Sequence, residues 1–172
     1  MKRLVFISLI FVSMSGIAFA DEGKPLAQSH SKEFEKVKSL EGKWAGTTTE
    51  GGKESNVSVT YHLTSGDSAV VETLFPGTDH EMVSVYHDEG GKLAMTHYCM
   101  LGNRPNLALS KSSQTEMTLD FAKNNTINPK SEDHMHSLRL VFIDNDTLVQ
   151  NWSGITNGKE KEPTVLKLSR VK

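Results

Sequence analysis

The sequence has little cysteine, no excess of basic charge and few aromatic residues. Cys99 is the only cysteine among 172 residues, which excludes a disulfide within one chain. The 19 lysines and arginines do not outnumber the 21 aspartates and glutamates, so no nucleic-acid partner is expected. With 37% hydrophobic and 23% charged residues, the composition is that of an ordinary folded domain and excludes collagen, coiled-coil and wholly disordered chains.

Long apolar runs are also missing, except at the start of the chain. A basic start at Met1-Lys2-Arg3 precedes apolar and small residues up to Ala18, and Ala18-Phe19-Ala20 fits a small-x-small cleavage site. This pattern predicts a signal peptide over 1–20 and an exported protein, periplasmic or secreted. A retained membrane anchor is the alternative, but the run is short and no basic cluster follows it. After cleavage we expect no integral membrane segment.

The segment after the predicted cleavage site changes from polar to amphipathic. Residues 21–30 are polar with glycine and proline, which favours a flexible lead-in. Phe34, Val37 and Leu40 then recur at helical spacing after Ser31, a favourable N-cap residue, and Gly42 ends the pattern. We therefore predict one short helix at the start of a single domain over 31–172.

Beyond Gly42 the apolar residues recur with a period of two. In 57–63, for example, Val57, Val59, Tyr61 and Leu63 alternate with polar residues, and turn signals separate many such runs. An open sheet of this kind would leave costly edges, whereas closure removes them. We predict an all-β fold, an antiparallel up-and-down β-barrel of about ten strands with one short N-terminal helix. The predicted strands are 43–49, 55–64, 68–75, 81–87, 92–100, 106–111, 115–122, 135–143, 147–153 and 163–171.

Two groups of residues resemble known families. Gly42-Lys43-Trp44, at the start of the first strand, resembles the Gly-x-Trp signature of lipocalins and the wider calycin group. That resemblance implies structural roles for Trp44 and Arg170, with the arginine packed across the tryptophan at the closed end of a barrel. The segments 72–82, 96–99 and 102–105 together resemble a family of exported bacterial lipocalin-like proteins of unknown function. This second resemblance implies a fold and a compartment but no activity.

Hairpin pairing predicts which side chains share a face of the middle strands. A turn at 88–91 sets Met82 opposite His97 and His80 opposite Cys99, whereas the 76–80 loop sets Glu72 opposite Ser84. Alternation along the strands then collects one mixed face. Its predicted members are Glu72, Leu74, His80, Met82, Ser84, Tyr86, Met95, His97 and Cys99.

This mixed face has two interpretations. It is either an ordinary outer surface or the wall of a lumen, and the lumen interpretation predicts non-catalytic binding of a small, largely apolar molecule. Arg104 lies near the expected mouth, where it meets an anionic head group or is simply a solvated turn residue. The candidate ligand-binding residues are Glu72, Met82, Ser84, Met95, His97, Cys99 and Arg104.

An enzyme or a metal or haem site built on Glu72, His97 and Cys99 is the alternative. A metal would use His97 and Cys99, about 7 Å apart on one face, with His80 or Glu72 added. Haem would need only His97 and an apolar pocket. A hydrolase would use His97 as base, Glu72 to orient it, and Ser84 or Cys99 as nucleophile.

Two further interpretations complete the sequence analysis. His134 and His136 form a second His-x-His pair, but they follow a polar loop and are predicted to lie on the surface at the start of a strand. A filled barrel with a structural or interaction role is the third class of function. The sequence itself identifies no cofactor.

Overall fold

A computed structural model of the protein describes residues 29–172. The predicted signal peptide 1–20 and nearly all of the predicted lead-in 21–30 lie outside the described residues. Within them, the one helix spans seven residues and is too short to cross a membrane.

Helix α1 (Lys32–Lys38) covers one end of a barrel. The side chain of Ser31 caps it by accepting a hydrogen bond of 3.1 Å from the amide of Phe34. Asp88 holds the cap in place, because its carboxylate accepts bonds of 2.6 Å from both the amide and the hydroxyl of Ser31. Phe34 and Val37 are fully buried, so the apolar face of the helix completes the core.

The sheet closes into a barrel of ten antiparallel strands. Neighbours in sequence pair in space, and β11 returns beside β1 while β9 pairs with both β8 and β11. The predicted fold class is confirmed, and each of the ten predicted strands corresponds to an observed one. Ten strands form the closed wall, and the two-residue strand β10 is added beside β9. The eleven strands of the described residues are β1 (Gly42–Glu50), β2 (Lys53–Thr64), β3 (Ala69–Leu74), β4 (Met82–Glu89), β5 (Lys92–Tyr98), β6 (Asn106–Ser112), β7 (Glu116–Phe121), β8 (His134–Phe142), β9 (Thr147–Thr156), β10 (Lys159–Glu160) and β11 (Thr164–Arg170).

Strand β10 was not predicted. It consists of two residues that fold back on the end of β9 after the turn at Asn157-Gly158. Two residues are too few to show a period of two, so the sequence carries no signal for it.

The register of β3 with β4 agrees with the predicted one, whereas that of β4 with β5 does not. Glu72 lies opposite Ser84 as predicted, but His97 also lies opposite Ser84 rather than Met82. The cause is a two-residue turn at Gly90-Gly91, where both φ angles are positive and the strands end at a pair of Glu89 with Lys92. The shift is two residues, so every side chain stays on its predicted face.

Arg170 and Trp44 tie the helix to the barrel. The guanidinium lies over the Trp44 ring, 4.4 Å from its centroid. It also donates hydrogen bonds of 2.6 and 2.8 Å to the carbonyls of Glu41 and Ser39, which follow the helix. Trp44 Nε1 donates to the carbonyl of Leu40 at 2.7 Å. These contacts close the helix end, and the arrangement is the one that the Gly-x-Trp resemblance implies.

Replacing Arg170 should destabilise the fold far more than replacing an ordinary surface arginine. Arg170→Met removes the ring contact and leaves three carbonyls without their donor, so we expect a loss of about 3 kcal/mol in the free energy of unfolding. Arg139→Ala is the control, because it removes only a half-exposed pair with Glu116 and should cost less than about 1 kcal/mol. Urea denaturation measures both, and equal losses would contradict the role given to Arg170.

Gly46 marks the closest approach of two strands. A Cβ at this position would lie 1.8 Å from the carbonyl oxygen of Lys167 on β11. Backbone in a paired strand cannot move aside cheaply, so Gly46→Ala should cost about 3 kcal/mol of unfolding free energy. Gly154→Ala, whose Cβ would meet its nearest atoms at 3.4 Å, is the matched control with a smaller loss. Guanidinium denaturation compares them, and a fully stable Gly46→Ala variant would contradict this packing.

Candidate binding site

A hydrogen-bonded network centred on Glu72 crosses the barrel interior. Tyr61 on β2 donates to Oε1 of Glu72 at 2.7 Å, and Tyr86 on β4 donates to Oε2 at 2.9 Å. Gln150 on β9 reaches the same carboxyl from the opposite wall and also donates to Tyr61 Oη. Trp152 Nε1 completes the network by donating to Gln150 Oε1 at 2.8 Å. The polar side chains of this network therefore hydrogen-bond to one another.

The charge of Glu72 has no cationic partner among the described residues. Burial raises the pKa of its carboxyl above the ordinary value, while the hydrogen bonds from Tyr61, Gln150, Tyr86 and Ser84 act in the opposite direction. Burial and the nearby Glu72 charge also raise the pKa values of both tyrosines well above 10.0, so their hydroxyls remain donors. Glu72 is thus held by hydrogen bonds and not by an ion pair.

His97 lies beside this network and is buried, with 1% of its surface exposed. Its Nδ1 is 3.0 Å from Ser84 Oγ, and its ring packs against Trp152 with 4.8 Å between centroids. Burial lowers the pKa of His97 to about 4, so the imidazole is neutral at pH 7. Its Nδ1 carries the contact with Ser84, whereas the buried polar side-chain atoms without a hydrogen-bond partner among residues 29–172 are Thr48 Oγ1 and Asn103 Oδ1.

The predicted catalytic arrangement of these residues is wrong. A nucleophilic triad needs the imidazole between carboxyl and hydroxyl. Here Ser84 lies between Glu72 and His97, because all three are neighbours across β3, β4 and β5 and the serine is in the middle strand. Glu72 therefore does not orient His97, and Ser84 is itself fully buried.

The other predicted residues are divided between interior and surface. Met95 is buried at 1% exposure, whereas Met82 is half-buried and packs against the core. Cys99 is half-buried, and burial raises the pKa of its thiol, so it is a poor nucleophile and metal ligand at pH 7. Arg104 and His80 are exposed on loops. The pairing of His80 with Cys99 is therefore wrong, since His80 precedes the start of β4.

In the part of the chain that the structure describes, no group of three histidine, cysteine, aspartate or glutamate side chains is arranged to hold a metal ion. His97 lies with Ser84 and Trp152, and Glu72 with two tyrosines and a glutamine. The metal set of His97, Cys99 and His80 or Glu72 is not assembled.

His134 is buried, so its predicted surface position is wrong. Its Nδ1 donates to the carbonyl of Glu132 at 2.7 Å, and its Nε2 is 3.1 Å from Nδ1 of His136. Phe121 packs against its ring with 4.6 Å between centroids. The polar loop before His134 suggested the surface, but His134 lies at even spacing from the buried residues Leu138 and Leu140 on the same strand.

Sequence reasoning missed Gln150 and Trp152. Both lie on β9 at a spacing of two after buried Leu148, so their inward orientation was readable from the alternation. Their contact with Tyr61 and His97 was not readable, because it spans the barrel between strands distant in sequence. Tyr61 was recognised as one of the alternating apolar residues of its strand but not as a partner of Glu72.

The sequence was also compared with known proteins. No protein-family model matches the chain, and no curated protein matches it.

Replacing His97 should remove a specific pH dependence of stability. The ordinary histidine pKa is 6.5, and in the folded protein burial lowers that of His97 to about 4. The unfolded chain therefore binds more protons in this window, and the unfolding free energy falls as the pH falls from about 6.5 to about 4. Relative to His97→Gln, the wild type should lose about 3 kcal/mol over the window.

Urea denaturation at pH 7, 5.5 and 4 measures this difference. The raised pKa of Glu72 has the opposite sign, with stability lost as the pH rises above its ordinary value of 4.5, but it is present in both proteins and cancels. His62→Gln, at an exposed position on β2, is the control for replacing a surface histidine. A wild-type minus His97→Gln difference that is constant with pH would contradict burial of a neutral His97.

Proposed function

We propose that the protein is an exported, lipocalin-like barrel that binds a small, largely apolar molecule in its interior without catalysing a reaction. The supporting observation is the neutral imidazole of His97, which is buried in the barrel interior and packs against the Trp152 ring. A ligand site needs few polar groups within an apolar wall. His97 supplies one such group, and Trp152 supplies a large apolar surface beside it.

The closed end of the barrel defines the side from which a ligand enters. Helix α1 and Arg170 seal the end at which β1 begins. The opposite end carries the longer connections 75–81, 99–105 and 122–133. His97 lies near the end of β5 that leads into this region, whereas Trp44 lies at the sealed end. The proposed entrance is therefore the loop end.

Side chains must move for a ligand to enter. Two clefts, of about 180 and 530 Å³, lie beside β5 and β6 and beside the helix, and neither is lined by His97 or Trp152. Met82 is half-buried next to the loop end, and its unbranched thioether can adopt several rotamers at low cost. We assign Met82 the role of the adjustable wall and His97 the role of the polar anchor.

The Glu72 network supports binding rather than catalysis. Its hydrogen bonds already come from Tyr61, Tyr86 and Gln150, so it offers the ligand a rigid floor rather than a proton acceptor. The floor is polar and internally satisfied, and a ligand resting on it gains most from apolar contacts. Burial of the ligand beside Met82 and Trp152 then drives association.

Titration with N-phenyl-1-naphthylamine, a neutral apolar probe, tests this function. We expect His97→Ala and Met82→Ala each to raise the dissociation constant about tenfold, since each removes roughly 1.4 kcal/mol of contact. Met117→Ala, a buried methionine on β7, is the matched control and should leave the affinity unchanged. Equal affinity in all folded variants would contradict the proposed site.

The two tryptophans identify where the probe binds. In wild type the probe should quench Trp152 and not Trp44, so Trp44→Phe should keep the quenching signal and Trp152→Phe should lose it. Hemin and zinc titrations run alongside cover the metal and haem alternative. A Soret shift or bound zinc that is present in wild type and lost in His97→Ala would support that alternative. Haem or zinc would then take the place of the apolar molecule as the proposed ligand.

A further inference from the structure

Three large apolar side chains lie exposed together at the loop end of the barrel. Tyr98 is 49%, Met100 56% and Leu101 54% exposed, and they are almost consecutive in the chain. We call Tyr98 and the β5–β6 loop after it, residues 98–105, the apolar loop. The other exposed large apolar residues of the described chain, Ile143 and Val171, lie at the helix end. Isolated exposed apolar residues are ordinary, but a cluster at the entrance requires a partner.

The apolar loop is held in a fixed shape. The amide of Gly102 donates a hydrogen bond of 3.0 Å to the carbonyl of Cys99, and the amide of Cys99 donates one of 3.0 Å to the carbonyl of Asn103. Asn103 Nδ2 donates to the carbonyl of Asp133 at 2.7 Å, which fastens the loop to its neighbour 122–133. Met100 and Leu101 are thus presented at a tight turn instead of folding back on the core, and little entropy is lost when they bind.

The charge of the apolar loop complements a lipid surface. Arg104 is exposed, and residues 98–105 contain no acidic side chain, although the whole chain has a net charge of −2. The acidic residue Asp133 meets the loop through its backbone carbonyl, and its carboxylate accepts a hydrogen bond from the amide of Asn157. A tyrosine, two unbranched or aliphatic side chains and an arginine are the set that inserts at the boundary between lipid phosphates and acyl chains.

We propose that the apolar loop inserts into a lipid surface, where the barrel takes up or releases its apolar ligand. A protein partner is disfavoured because a specific interface buries about 800 Å² on each side, far more than three half-exposed side chains at a turn. The loop directly continues β5, which carries His97, so insertion brings the proposed binding site to the membrane. The proposal rests on the proposed function for the ligand, but the lipid contact itself is tested separately.

Vesicle flotation of the exported, processed protein tests the lipid contact. Vesicles of phosphatidylcholine alone and of phosphatidylcholine with phosphatidylglycerol separate the apolar contribution from that of Arg104. The double variant Met100→Ser/Leu101→Ser should lower the partition coefficient on both vesicles at least about tenfold. Arg104→Gln should lower it on the anionic vesicles only. Ile143→Ser, at an equally exposed position on the opposite end, should bind as wild type does.

Three results would overturn the proposal. The first is that wild type binds neither kind of vesicle, and the second is that Ile143→Ser lowers the partition coefficient as much as the double variant does. The third is a wild-type dimer in sedimentation that the double variant abolishes, because the apolar loop would then bind a second copy of the chain. Every variant carries the same N-terminus, so residues 1–28 cancel from the comparison. Failure here is distinct from failure of the interior site, because the double variant should still bind N-phenyl-1-naphthylamine and His97→Ala should still float with vesicles.

Discussion

The interior of the barrel depends on burying one carboxyl group without a cation. Glu72 can occupy the centre only if donors converge on it, because an unpartnered buried carboxylate is prohibitively costly. Tyr61, Tyr86 and Gln150 supply those donors from both walls, and Gln150 in turn accepts from Trp152. The network therefore fixes the relative position of opposite walls, and it holds Trp152 where it can pack against His97.

The two ends of the barrel differ in how they are closed. At the helix end, Arg170 satisfies carbonyls after the helix and covers Trp44, so that end is closed by polar bonds as well as apolar packing. At the loop end, three large apolar side chains are exposed, those of Tyr98, Met100 and Leu101. The closed end contributes stability, while the proposed entry of a ligand and the contact with lipid belong to the other end.

The fold could be predicted from the sequence because its main signals are local. A period of two, glycine-rich turns and the cap at Ser31 each act over a few residues, and closure follows from the cost of sheet edges. The sequence also predicted which side chains of the middle strands share a face. The register error between β4 and β5 is two residues, so it leaves each side chain on the same face of the sheet. His134 shows the limit, because the polar loop before it suggested the surface, whereas contacts with Phe121 and His136 bury it.

The candidate site could be predicted only in part. Glu72, Ser84 and His97 share neighbouring strands, so hairpin pairing brought them together. Ser84 lies between the other two residues, and this order is what excluded the triad. The strand pairing alone predicts the order, once β4 is recognised as the middle strand. Gln150 and Trp152 arrive from across the barrel, and such contacts depend on the strand tilt and stagger that close the sheet, which no short sequence window encodes.

The most direct test of ligand binding near His97 is a methionine methyl NMR titration of the folded protein with a long-chain alcohol. The account predicts that the methyl resonances of Met82 and Met95, on the walls around His97, shift and saturate together, while that of Met117 on β7 stays unchanged. Saturable shifts confined to Met117, or no shift in any buried methionine, would contradict it.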